Sequence, residues 1–173
     1  AKQVSLEHGK DSVAIISFND NREGAWDQSQ LLGLQLGINI FSAQNSTMLK
    51  QLIKELSSRR LIIVDAPSNN GDSQLQTLQL ALPDAQLHLL LPADASPVLT
   101  KQYINIDNQS WNSLMLSRLE EGIFPWPVLH ALLDNGISLS IASASKNVAN
   151  SAFDVDGFSL AFHGFKQLAS SFN

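Results

Sequence analysis

Five short polar stretches hold the side chains of this sequence that could do chemistry. They are NDNREGAWD (19–27), DAPSNNGD (65–72), PADAS (92–96), SRLEEG (117–122) and SASKNV (143–148), and each follows an apolar run. Asp65 closes the run LIIVDA. Arg118, Glu120 and Glu121 come directly after Leu114, Met115 and Leu116, with Leu119 set between the cation and the acids. A carboxylate in such a place can assist a metal site or accept N–H bonds from a base edge, and an arginine can fork onto phosphate or carboxylate. The same residue types also cap turns and form solvated ion pairs. For Asp65, Arg22, Arg118 and Glu120 both readings stay open at this level. His8, His88, His130 and His163 show no metal-ligand spacing, so no metal site is expected. His88, inside LHLLL, reads as a satisfied strand residue and His130 as a helix-surface one. Ser143 and Ser145 have no evident His/Asp partners, and the absence of cysteine excludes disulfides, thiolate metal sites and a cysteine nucleophile. Trp26, Trp111 and Trp126 read as core or interface anchors.

The elements that must position these loops are short and alternate in kind. Strand-length apolar runs lie at 12–18, 38–41, 61–66, 87–91, 114–117 and 138–142. They are mostly apolar rather than alternating, the pattern of strands buried on both faces. Helix-period segments lie between. In 46–56, Leu49, Leu52, Ile53 and Leu56 form one stripe behind a cap supplied by Asn45, Ser46 or Thr47. Ser96 and Pro97 read as N-cap and first helical residue of 96–104. In 124–134, Phe124, Val128, Leu129, Leu132 and Leu133 share a face, and Gly136 marks the stop. A final helix is expected from about 157 to 170. Such alternation predicts right-handed crossovers and a doubly wound, mainly parallel sheet of about six strands in a three-layer α/β sandwich. Ligands of such sheets bind beyond the carboxyl ends of the strands, which places all five loops on one edge.

The 173 residues, 44% hydrophobic and 16% charged, suit one domain spanning 1–173. A net charge of −5 and no basic run denser than Arg59–Arg60 argue against a nucleic-acid binder. No apolar run approaches the ~20 residues of a membrane span. AKQVSLEHGK lacks a signal-peptide core, and a cytoplasmic location is expected.

Taken together the loops resemble the signal-recognition-particle (SIMIBI) class of GTPases, most of all its flagellar member FlhF. NDNREGAWDQ stands where that family has D-T-Y-R-I-G-A and a following helix, and it keeps Arg22, Gly24, Ala25 and Gln28. LGINI matches L-G-V-P-V, DAPS matches D-T-A-G through Asp65, SRLEE matches T-K-L-D-E, and SASKNV matches S-D-G-Q-R-V. AKQVSLEHG is similar to the helix after the family's P-loop. The resemblance implies vestigial catalytic positions at Asn19, Arg22 and Asp65, and vestigial nucleotide contacts at Ser117, Arg118, Glu120 and Lys146.

The departures weaken nucleotide chemistry. No G-x-x-x-x-G-K-S/T string occurs, and HGKDS precedes a strand instead of following one. Asn19 replaces an acid, Ser68 replaces a glycine, and Glu120 carries the guanine-reading carboxylate one methylene further out. The expected result is a degenerate G domain that hydrolyses nothing and has no cofactor. GTP and magnesium would enter only if a P-loop lay upstream in a longer, active FlhF-like GTPase, which is the alternative reading. Partners implied are proteins of flagellar or polar-organelle placement or of protein targeting, including a related G domain or a second copy. The expected partner surface is Arg22, Trp26, Asp65, Arg118 and Glu120, with membrane association only through the partner, at the cell pole or the inner membrane face. The family's P-loop strand would lie between LIIVDA and LHLLL. Those runs must therefore pair directly, or another strand must fill the place.

Overall fold

Val13–Phe18 (β1) is the most deeply buried strand: Val13, Ala14 and Ile16 are inaccessible and Phe18 is 1% exposed. It can be so because it has a strand on each side. In the computed structural model, which describes residues 1–67, 71–106, 111–119, 124–144 and 152–162, the chain forms two compact units, 1–85 and 86–173.

In the first unit, helix α1 (Lys2–His8) and a 3-10 turn (Lys10–Ser12) lead into β1. Then follow α2 (Ala25–Leu36), β2 (Asn39–Ala43), α3 (Ser46–Glu55), β3 (Leu61–Asp65) and α4 (Gly71–Ala81). The sheet order is β2-β1-β3, all parallel, with Ser17 opposite both Ser42 and Asp65. Side chains of β1, α3 and the last turn of α4 build the core, where Ile16, Phe18 and Leu49 are sealed from water. Burying each contributes about 1.5–3 kcal/mol. Gly33 lets α2 approach β2 closely. A Cβ there would sit 2.8 Å from Ile40 Cγ1 and 2.9 Å from the Ile38 carbonyl oxygen. Gly37 ends α2 in the left-handed region, its N–H returned to the Gly33 and Leu34 carbonyls. Arg59 binds the Asp11 carboxylate at 3.1 Å and also its carbonyl, tying the entry of β3 to that of β1.

The second unit runs β4 (His88–Pro92), α5 (Pro97–Ile104), β5 (Ser113–Ser117), α6 (Trp126–Asn135), β6 (Leu139–Ser143) and β7 (Ala152–Asp154), with a helical turn over 157–162. Its sheet is ordered β4-β5-β6-β7, parallel except for the antiparallel β6–β7 pair. Leu114, Leu116 and Val128 lie at the centre of its core, and Trp111 and Trp126 pack against it.

All six expected strands exist, and the expected caps are the observed ones. Asn45 Oδ1 accepts from Met48 N at 2.9 Å, Ser96 Oγ from Leu99 N at 3.2 Å, and Gly136 closes α6 with φ 64°. Phe124 is the exception, lying ahead of α6 with its ring centroid 4.5 Å from that of Trp126 and tilted 48° to it. The sheets are mainly parallel, as expected, and of the two arrangements open to 61–66 and 87–91 direct pairing is not the one adopted: β3 ends one sheet, beside β1, and β4 ends the other, beside β5. Continuous apolar composition did not mean burial on both faces either. Leu61–Val64 are half-buried, and in β4 Leu89 and Leu91 point inward while Leu90 is 63% exposed. A strand at a sheet end has only one neighbour to shield it.

Candidate functional site

At the end of β1 the ladder extends one residue, Asn19 N donating to the Ala43 carbonyl at 2.8 Å. Asn19 itself adopts φ 50°. Asparagine tolerates this left-handed conformation better than most side chains. The turn brings Asp20 and Arg22 together. Arg22 Nε donates to Asp20 Oδ1 at 2.8 Å and Nη2 to Oδ2 at 2.5 Å, a two-point fork, and the Arg22 backbone N–H adds a third bond at 3.3 Å. The guanidinium lies over the acid like a lid: the Asp20 side chain is 5% exposed and that of Arg22 57%. Hydrogen bonds from Arg22 hold the Asp20 carboxyl below the usual carboxylate range, and Asp20 raises the Arg22 guanidinium in turn.

Asp65 ends β3 on the far side of β1. It keeps solvent-accessible surface, yet the protein packed around its carboxyl pushes its pKa up. The Asp20 charge adds to that, and only Arg22 opposes it. One cation therefore faces two carboxylates, with two of its five side-chain N–H donors committed to Asp20. Trp26, 38% exposed, stands in the first turn of α2.

In the second unit, the Ser117 carbonyl accepts from Ala93 N at 2.7 Å, extending the β4–β5 ladder. Arg118 then takes φ 64°, a conformation that disfavours any side chain carrying a Cβ. Its Nη1 reaches Asp94 Oδ2 at 3.2 Å, with the two side chains 49% and 28% exposed. Leu119 packs against the second core. After β5, Arg118 and Leu119 thus form a left-handed turn followed by a hydrophobic anchor. Glu120, Lys146, Ser68 and Ser145 lie outside the described residues.

So Arg22 and Asp65 are brought into one electrostatic cluster with Asn19 beside them, while Ser117 and Arg118 belong to the other unit. Sequence reasoning passed over Asp20 and Asp94. Asp20 could have been found from the D-x-R spacing, and Asp94 from the PADAS loop. It also passed over a hydrogen-bonded chain across the second sheet, His88 Nδ1 to Ser113 Oγ at 2.8 Å and on to Ser140 Oγ at 2.7 Å. His88 is satisfied in this way, and His130 is a helix-surface residue 3.2 Å from Asp134. Among the described residues no group of three or more His, Asp or Glu side chains could hold a metal ion, and no helix is long and apolar enough to cross a membrane.

The fold is that of the G domain of signal-recognition-particle-type GTPases, a Rossmann-like α/β arrangement. Among solved structures it is similar to FlhF complexed with GMPPNP and Mg2+, with TM-score 0.77 and 18% identity over 92% of this chain. It is also similar to the signal recognition particle 54 kDa protein of Aeropyrum pernix K1 in complex with GDP, with TM-score 0.74 and 14% identity over 98% of this chain and 43% of that one. A third is chloroplast FtsY of Physcomitrella patens, with TM-score 0.70 and 14% identity over 92% of this chain and 57% of that one. The chain spans 63% of the FlhF chain. No protein-family model and no curated protein matches it.

Proposed function

We propose that residues 1–173 form a degenerate G domain that binds a protein partner and does not hydrolyse nucleotide. The observation that carries this reading is the closed Asp20–Arg22 fork beside Asp65. GTP with Mg2+ does not fit this cluster, whose cation already holds Asp20 at two points beside a second carboxylate. Asn19 supplies no charge to assist an attacking water. Ser117, Arg118, Glu120 and Lys146 are then vestiges of a base-reading surface. Arg22, Trp26 and Asp65 in the first unit, with Arg118 and Glu120 in the second, are the partner-facing positions. Likeness to FlhF and to signal-recognition-particle proteins supports a role in flagellar or polar-organelle placement or in protein targeting. The partner is then a related G domain or a second copy, met in the cytoplasm or at the inner membrane face.

Calorimetry tests the reading. Loss of several charge-assisted hydrogen bonds at about 1.5–3 kcal/mol each carries a micromolar affinity past millimolar. Titration of about 100 μM protein with GTP and Mg2+ is therefore expected to give only heats of dilution. A Kd below about 10 μM would overturn the proposal.

A second reading has an observation of its own. β3 and β4 each end a sheet with partly exposed apolar side chains, and these are the two strands that flank the P-loop strand in the family. In a longer polypeptide, a strand and P-loop upstream of Ala1 would restore the nucleotide site of an FlhF-like GTPase. The parent reading frame distinguishes the two: a G-x-x-x-x-G-K-S/T string before Ala1 selects the second.

A further inference from the structure

Only Ala25 and Gly33 of the 12 residues of α2 are buried, and Asp27 is its single charged residue. Asp27, Leu31 and Leu34 follow one another at i, i+4 and i+7, so they share one face of the helix. Leu31 is 57% exposed and Leu34 80%. Exposed leucines scattered singly mean little, but these two stack on one face and the charges lie at its ends.

Asp27 stands in the first turn. At the other end, a Cβ added to Gly37 would sit 2.7 Å from Lys10 Nζ, so the Lys10 ammonium lies against the carboxyl terminus of α2. The helix dipole favours a cation there and an anion at the opposite end. Both side chains belong to exposed residues, and neither is engaged in a hydrogen bond or ion pair.

This pattern is complementary to itself. When two copies of α2 lie antiparallel about a two-fold axis passing between residues 32 and 33, Leu31 of each comes level with Leu34 of the other. The same register sets Asp27 level with residue 38 of the other copy, next to Gly37 and the Lys10 that covers it. One rotation thus forms an apolar centre and a charge pair at each end, with the helix dipoles opposed favourably. Parallel packing would set Asp27 beside Asp27 and Lys10 beside Lys10. A second copy supplies every matching group, and no foreign partner is needed to provide the charges.

We infer that α2 is a docking surface for a second copy of this chain, packed antiparallel through Leu31 and Leu34 and closed at each end by an Asp27–Lys10 ion pair between copies. It uses none of the partner-facing residues proposed above and needs no nucleotide, so it stands or falls apart from that reading. One helix per copy buries less than the roughly 1,200 Å2 of a stable complex, and the dimer is accordingly weak.

Sedimentation equilibrium of the whole 173-residue chain, from about 10 μM to about 1 mM in low salt, tests this. A monomer–dimer equilibrium with a Kd of about 100 μM is expected. Leu34→Asp, at an exposed site where substitution costs little stability, should weaken association by about ten-fold or more. Asp27→Lys and Lys10→Asp should each do the same, because two-fold symmetry makes each reversal set like charges face to face twice. The double variant should return the Kd to within about three-fold of the unaltered chain. A chain that stays monomeric at about 1 mM would overturn the inference. So would dimers indifferent to Leu34→Asp, which would use another face, and dimers that the double variant fails to restore, which would not join these ends. Circular dichroism reports whether each variant is folded. If Leu34→Asp is not, the charge-swapped variants, which leave both leucines in place, decide.

Discussion

Replacing Arg118 in turn by Ala and by Gly separates backbone strain from side-chain contact. Its φ of 64° lies in the left-handed region, where a Cβ crowds the following carbonyl at roughly 1–2 kcal/mol. The Asp94 pair, 3.2 Å long and partly solvated, is worth about 0.2–1 kcal/mol. Alanine loses the pair and keeps the strain, so Arg118→Ala should destabilise by about 0.2–1 kcal/mol. Glycine loses the same contacts but relieves the strain, while loosening the unfolded chain by about 0.5–1 kcal/mol. Whatever else the guanidinium touches is lost in both variants and cancels in their difference. Arg118→Gly should therefore exceed Arg118→Ala in stability by about 0.5–1 kcal/mol. Urea unfolding followed by the fluorescence of Trp111 and Trp126, both packed on the second core, measures that gap with matched m-values. An alanine variant as stable as the glycine variant would refute the reasoning and mean that the turn relaxes at no cost.

Asp65→Asn should stabilise the protein at neutral pH. The folded pKa of Asp65 is raised, so its favourable contribution is complete below the unfolded carboxylate pKa and is lost as pH rises through the folded value; the gain from Asn should fade on acidification. Urea midpoints from pH 3 to pH 8 check this, and a destabilised Asn variant at pH 7 would contradict it. Gly33→Ala sets a helix-propensity gain of about 1 kcal/mol against overpacking of about 1–3 kcal/mol where the new Cβ meets Ile40 and the Ile38 carbonyl. A net loss of about 1 kcal/mol is expected in thermal or urea unfolding.

The fold was legible wherever one local signal sufficed. Asn45, the Ser96–Pro97 pair and Gly136 mark helix ends by chemistry confined to a few residues. The six apolar runs mark strands because each is bounded by turn-forming residues. Helix α4 escaped notice because Leu80, 81% exposed, falls off the face set by Leu75 and Leu78 and blurs the stripe. β7 gives no signal at all, being three exposed residues held by pairing with β6. The site was legible in its membership more than in its wiring. Arg22, Asp65 and Arg118 were all singled out, but their partners depend on geometry that residue types do not carry. The Asp20–Arg22 fork needs the turn that follows Asn19, and the Arg118–Asp94 pair joins residues that only β4–β5 pairing brings near.

The chain from His88 through Ser113 to Ser140 can run in either direction. Nδ1 can accept from Ser113 or donate to it, either hydroxyl can be the donor between Ser113 and Ser140, and Ser140 can turn its own to the Leu114 carbonyl, 3.4 Å away. Serine rotors make that reversal without moving a heavy atom. Side-chain bonds therefore stitch β4, β5 and β6 together across the sheet, pinning their register independently of the backbone ladder.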